Sequence, residues 1–309
     1  YLTGKTLFGE KPGLWAAAAL AVTPFHVWHS HYSLADVPML FFMSWALYFS
    51  VKILFRRTIG NYLLAGFFAG LAASTKYNGA IIISAILLAH VMRVWSEKSE
   101  KLISFESFEV VFYAAITSIL GFILGTPFAA LDYKNFLRTD GPKGALWQFT
   151  NVGSLPFSPH LKSFFTVFYN KLAENFGYTL LLMFVFAIFY ILVKAIREKN
   201  LQQNRDLAFL VIAGLAYIFY ISGFGSDRAH YYFVVYPFVI LAGVGALEKL
   251  LVKFNWRFKT HLWLLLLSVP LFFSVLGTFT FYQKDTRLVL YYWLQDRSMK
   301  VQKIYYTEN

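Results

Sequence analysis

Apolar residues in this chain come in long unbroken runs of about 16 to 22, separated by short polar or basic clusters. An α-helix of that length crosses a hydrocarbon layer about 30 Å thick. A lipid-embedded β-barrel would instead alternate apolar and polar positions over about 10 residues, which these runs do not do. The pattern predicts an all-α polytopic membrane protein of about nine transmembrane helices, at 13–30, 37–55, 61–75, 79–95, 108–126, 176–195, 207–223, 232–250 and 261–282. The third is short for a span.

Basic residues fix the expected orientation. Lys5 and Lys11; Lys52, Arg56 and Arg57; Arg93, Lys98 and Lys101; Lys194, Arg197, Lys199 and Arg205; and Lys249, Lys253, Arg257 and Lys259 form five clusters. All five fall on one side if the spans alternate. Positive links mark the cytoplasmic face. The opposite, extracytoplasmic face then receives His29 to Asp36, Thr75 to Gly79, a long segment from about Pro127 to Asn175, Gly225 to His230, and the tail from Gln283. The long segment carries Phe128, Tyr133, Phe136, Trp147, Phe149 and Phe157. Rings of this kind favour the membrane interface, so a partly helical flap is expected there.

Composition reinforces this reading. Only 14% of the 309 residues are charged and 58% are hydrophobic, too little polar surface to cover a soluble domain of this size. The net charge of +12 follows from the basic links, so no nucleic-acid partner is called for. No cysteine is present, which removes disulfide and thiol chemistry. The chain opens at Tyr1 in mid-loop and ends just past the last apolar run, as expected of a piece of a longer protein. Its organisation divides into residues 1–282, a transmembrane domain, and residues 283–309, the start of an extracytoplasmic segment.

The unusual residues lie on the outer face. Asp36 stands at the start of the second span, where a carboxylate costs about 2.5–3.5 kcal/mol unless it lines a cavity or has a partner. One reading makes it catalytic; the other makes it a helix cap, with Pro38 in the first turn. His26, His29 and His31 are near it in sequence, and His29 and His31 with Asp36 offer ligands to a divalent metal ion, the one cofactor the pattern suggests. Plain interfacial histidines are the other reading.

Lys76, followed by Tyr77, ends a span containing Gly66, Gly70 and Ala73. Small residues let helices pack closely, which turns Lys76 toward protein, as a fixed cation for a phosphate; a snorkelling side chain is the other reading. The stretch "GFGSDRAHYYFVVYP" supplies Arg228, His230 and Tyr231 as further substrate-binding candidates. Arg228 suits bidentate phosphate contact, or a salt bridge to Asp227. No G-x-x-x-x-G-K-[ST], H-E-x-x-H or G-x-S-x-G motif is present.

Taken in order, "LFGEKPGLWAAAALAVTPFHVWHSHYSLADVPMLFF", "LAGFFAGLAASTKYNG", "DRAHYYFVVYPFVILAGVGA" and "DTRLVLYYWLQDR" resemble the membrane glycosyltransferases of the C-type fold, family 39. That group includes the protein O-mannosyltransferases and the lipid A aminoarabinose transferases. The resemblance implies a polyprenyl- or dolichyl-phosphate-linked sugar as donor, a protein or lipid acceptor, and an acidic site containing Asp36. It implies a further acidic motif in a first outer loop, which would precede Tyr1. An inner membrane or endoplasmic reticulum membrane is the expected location, with the active site extracytoplasmic. The alternative is a transporter or flippase for a lipid-linked or anionic substrate, whose site would lie near the bilayer midplane. A noncatalytic scaffold would need no convergence of Asp36, Lys76 and Arg228.

Overall fold

The computed structural model describes residues 1–97, 105–141, 144–198, 201–226, 228–282 and 286–296. Lys98, Lys101, Lys199, Asp227, Asp285 and most of the tail from Gln283 lie outside them, as does the side chain of Phe149. The described chain is helical, with one isolated antiparallel bridge between Ser154 and Phe224.

By length and apolar composition, seven helical stretches among the described residues can cross a membrane, beginning with Asp36–Phe55 and ending with Lys259–Phe281. The expected nine included two that the structure shows differently. The run 13–30 is not one helix: after α1 (Leu2–Phe8), α2 (Glu10–Ala21) stops and α3 (Pro24–Ser30) starts afresh. Pro24 is the cause. Its ring removes an N–H and pushes Thr23 into an extended conformation, φ −68° and ψ 118°. The third expected span, α5 (Ile59–Thr75), forms as one helix but has only 17 residues.

α4 (Asp36–Phe55) packs against α5 and α6 (Ile82–Glu97), and α5 against α7 (Phe105–Gly125). The α5–α7 contact depends on glycine. A Cβ on Gly66 would lie 2.1 Å from the Ala114 carbonyl oxygen, and one on Gly70 would lie 2.0 Å from that of Ser118. The two backbones therefore touch directly, as small-residue interfaces permit in membranes.

The segment expected as a partly helical flap contains α8 (Phe128–Leu131), α9 (Tyr133–Phe136), α10 (Ala145–Val152) and α11 (Phe157–Thr166). Phe128, Leu131, Phe157 and Phe165 are exposed on it. α12 (Lys171–Glu198) kinks at Gly177, where φ is 67°. α13 (Arg205–Ser222) leads through a 3-10 turn (Ala229–Val235) into α14 (Tyr236–Lys253), the most enclosed of the seven stretches. α15 (Lys259–Tyr282) and the exposed α16 (Thr286–Asp296) follow.

The ends of the bundle differ. At one, Asp36, Lys76, the 3-10 turn and the flap helices meet. At the other, links expected on one side converge: Arg57 and Arg93 reach Glu97, Lys249 reaches Asp206, and Lys259 reaches Glu248.

Two outcomes are expected. Gly70→Val should lower thermal stability by about 1–3 kcal/mol, because a side chain there must displace backbone; an unchanged melting temperature would contradict the packing. Single cysteines introduced at Arg57 and Arg257 should label from one side of sealed vesicles and one at Arg228 from the other; labelling of all three from one side would contradict the alternation.

Candidate active site

Asp36 is the first residue of α4 but not its cap. The cap position is Ala35, and no side chain bonds the free N–H groups there. The Asp36 carboxylate, with a side chain only 4% exposed, instead accepts a hydrogen bond from Lys76 Nζ at 2.6 Å. The helix N-terminus adds its own attraction for a negative group. Lys76 ends α5 in an extended conformation that turns its side chain inward. Its ammonium lies 5.7 Å from the Tyr231 ring centroid, within cation–π range.

The 3-10 turn carries His230 and Tyr231, with ring centroids 4.8 Å apart. A buried asparagine holds this turn. Asn175 Nδ2 donates to the Ala229 carbonyl at 3.0 Å and to that of Lys171 at 2.8 Å, while its Oδ1 accepts from Tyr236 OH at 2.8 Å. One amide thus ties α12, the turn and α14 together. Asn175 did not stand out in the sequence, since a lone amide at the edge of an apolar run carries no motif.

Lys76, Tyr77, His230 and Tyr231 line a common cleft of about 530 Å³. Asn78, Gln148, Tyr220 and Phe224 join them. Asp36 does not line this cleft; it lies behind Lys76. The flap closes one side. Gly225 N donates to the Gly153 carbonyl at 3.2 Å, Ser226 N to Val152 at 3.1 Å, and Leu155 N to Gly223 at 2.8 Å. His160 Nε2 donates to the Phe219 carbonyl at 2.7 Å, its ring stacked on Phe219 at 4.2 Å. Gln148, Tyr220 and Phe224 were not singled out in the sequence, because only this pairing brings the flap beside the end of α13.

The remaining candidates separate. Arg228 is exposed, caps the 3-10 turn through its backbone, and is not part of the cleft lining. The salt bridge considered for it with Asp227 lies outside the described residues. His29 and His31 face different neighbours. His29 packs on Phe25 at 4.1 Å and Phe233 at 5.1 Å, with His230 at 6.3 Å. His31 Nδ1 bonds the Val27 carbonyl at 2.8 Å, and its ring stacks on Phe281 at 4.6 Å. Among the described residues, no group of three or more His, Asp or Glu side chains is placed to hold a metal ion. The ligand set of His29, His31 and Asp36 is therefore not assembled, and Asp36 is engaged by Lys76 instead.

The arrangement offers one fixed ammonium, an imidazole and two amide side chains in a cleft walled by aromatic rings. Such a site can grip a phosphate and stack a sugar or an isoprenoid. A family model described as dolichyl-phosphate-mannose-protein mannosyltransferase matches residues 1–124. The resemblance to family-39 membrane glycosyltransferases is thereby carried over the stretch that holds Asp36 and Lys76. It supports a glycosyltransferase activity of the mannosyltransferase type, in an integral membrane protein. No curated protein and no solved structure matches the chain.

The pair has unequal partners, and this has a measurable consequence. Lys76 is 25% exposed at its side chain and Asp36 4%. Lys76→Gln leaves a buried carboxylate unpaired, while Asp36→Asn leaves an ammonium that reaches water. Lys76→Gln should cost about 3–5 kcal/mol and Asp36→Asn less, since removing one partner of a buried pair penalises the charge left behind. Thermal unfolding of both variants in the same detergent checks the order; equal losses would contradict it.

Proposed function

We propose that this chain moves a sugar from a polyprenyl- or dolichyl-phosphate donor to a protein or lipid acceptor at the extracytoplasmic end of the bundle. The observation that carries this reading is the Lys76 ammonium, fixed by Asp36 at the wall of an aromatic cleft, within the segment that the family model matches. The family's description names mannose as the sugar and a protein as the acceptor.

The reaction breaks the bond between the anomeric carbon and the phosphate oxygen and forms one to the acceptor oxygen. The phosphate leaves with the bonding electrons, and Lys76 faces the growing negative charge. Charge placed in advance where it develops is the strongest general contribution to catalysis. The acceptor loses a proton. The resemblance implies an acidic site containing Asp36, but in this geometry its carboxylate is spent on Lys76. Here Asp36 fixes the cation, and His230, which lines the cleft, is the imidazole available to take the proton. Tyr77 and Tyr231 supply ring faces for the donor. A divalent ion is not needed for any of these steps.

The transporter reading places its site on broken helices at the midplane. Here Lys76 follows the last residue of α5, and His230 precedes the first turn of α14. Charged groups at helix ends fit chemistry at a membrane boundary better than passage through it.

The decisive assay measures transfer from dolichyl-phosphate mannose to an acceptor peptide by the full-length protein in lipid nanodiscs. Lys76→Gln should lower the rate by about 10²–10³, the loss typical when one preorganised donor is removed. Arg228→Lys should change it little, because Arg228 lies outside the cleft lining. Asp36→Asn and Lys76→Gln together should cost scarcely more than either alone, since they act as one unit. Full turnover in Lys76→Gln would remove the proposed role of the cation.

A further inference from the structure

His230 is the imidazole at the cleft wall, yet nothing grips the ring by hydrogen bonding. Among the described residues neither of its ring nitrogens has a hydrogen-bond partner. Its ring neighbours are Tyr231, with centroids 4.8 Å apart, and His29, at 6.3 Å. A working imidazole is usually aimed by a hydrogen bond to its second nitrogen. Here the aiming falls to the main chain.

The carbonyl of Ala229 and the N–H of His230 belong to one rigid peptide plane. Asn175 Nδ2 donates to that carbonyl at 3.0 Å. Holding the plane at the start of a short 3-10 turn sets the direction in which the next side chain leaves the backbone. Asn175 is itself held on two more sides. Its Nδ2 donates to the Lys171 carbonyl one helical turn earlier, at 2.8 Å, and its Oδ1 accepts from Tyr236 OH at 2.8 Å. The Tyr236 ring is fixed in turn by Phe176 and Phe233, at 4.4 and 4.7 Å.

These partners settle which way the amide points. Reversed, its oxygen would face two carbonyl oxygens. They also settle the residue type. A carboxylate has no hydrogen to donate, and a leucine of similar size offers neither donor nor acceptor. Asn175 is fully buried, so without it the Ala229 carbonyl loses its partner where water does not replace it. α12 kinks at Gly177, two residues beyond, and the amide therefore sits on a short first segment of that helix.

We propose that Asn175 is a positioning residue, which acts through the Ala229 carbonyl to hold the His230 imidazole against the cleft. The inference rests on the proposed transferase reading, in which His230 takes the proton of the acceptor. Asn175 touches neither substrate; its effect on the rate passes through His230.

The test pairs transfer rates with histidine labelling, in the full-length protein in lipid nanodiscs. Transfer from dolichyl-phosphate mannose to an acceptor peptide is measured at saturating substrates for Asn175→Leu, His230→Ala and the double variant. Asn175→Leu should lower the rate about 10²-fold, the low end of what losing one acid–base group costs. In the His230→Ala background the same change should cost less than about twofold, since residues that act through one group are not additive. Diethyl pyrocarbonate, which acylates neutral imidazole, is then applied without donor and its sites are read by mass spectrometry. His230 should label several-fold faster in Asn175→Leu, while His261, exposed at the opposite end of the bundle, labels as before. Should Asn175→Leu fail to fold, Tyr236→Phe removes only the hydroxyl that anchors the amide. It should give the same pattern with a rate loss of about fivefold, the worth of one neutral hydrogen bond. Equal proportional losses with and without the His230 imidazole, or unchanged labelling of His230 in a folded variant, would overturn the positioning role. Full turnover in His230→Ala would instead overturn His230 as the base, and the labelling would still decide whether Asn175 sets the place of the ring.

Discussion

A carboxylate and an ammonium at the boundary of an apolar bundle are each too costly to stand alone, and much of this end of the structure follows from their meeting. Asp36 opens α4 and Lys76 closes α5. Their 2.6 Å contact sets the start of one helix level with the end of the other. The same ammonium reaches toward the face of Tyr231, which brings the 3-10 turn before α14 into the assembly. Three separate stretches of sequence are thereby held in one register, and the cleft is the space they leave.

Reaching that register depends on helix length and close packing. A helix of 17 residues is about 26 Å long, a little less than the hydrocarbon layer. A span that short leaves its terminal residue at or below the boundary, where an unpaired ammonium would be expensive. Gly66 and Gly70 let α7 lie directly on the α5 backbone. One face of α5 is thus given to α7, and α4 packs on it as well. The lysine is turned toward protein by this packing, and the carboxylate makes the position tolerable.

The spans were legible because the hydrocarbon layer imposes a length and an apolar content that few soluble helices share. The basic links were legible too, because charge collects where the chain leaves the apolar layer and meets water. What hydropathy could not resolve was the break at Pro24, since a run of apolar residues reads alike whether the helix is continuous or restarted. Asp36, Lys76, His230 and Tyr231 stood out because charge and imidazole are conspicuous in such a background. Their partners were less legible. Asn175 acts through backbone carbonyls, and Gln148 enters the cleft only because residues 152–155 pair with 223–226. Pairings of that kind depend on distance in space, and no local pattern encodes them. His31 misled for the opposite reason: its nearness to His29 in sequence suggested a shared ligand, but a helical carbonyl and Phe281 hold it elsewhere.

The neutrality of the Lys76 and Asp36 pair also shapes what the cleft can do. An ammonium already balanced by a carboxylate exerts little net pull on a free anion in solution. A sugar phosphodiester carries one negative charge, and its ground state gains only modestly from such a site. As the bond to the anomeric carbon breaks, the departing phosphate gathers more charge, and the contact with the ammonium strengthens while the sugar loses its hold. An interaction that grows along the reaction coordinate lowers the barrier instead of deepening the bound state. On the proposed reaction, the buried carboxylate therefore restrains ground-state binding of phosphate, and affinity for the donor must come from the aromatic walls of the cleft and the apolar surface around it.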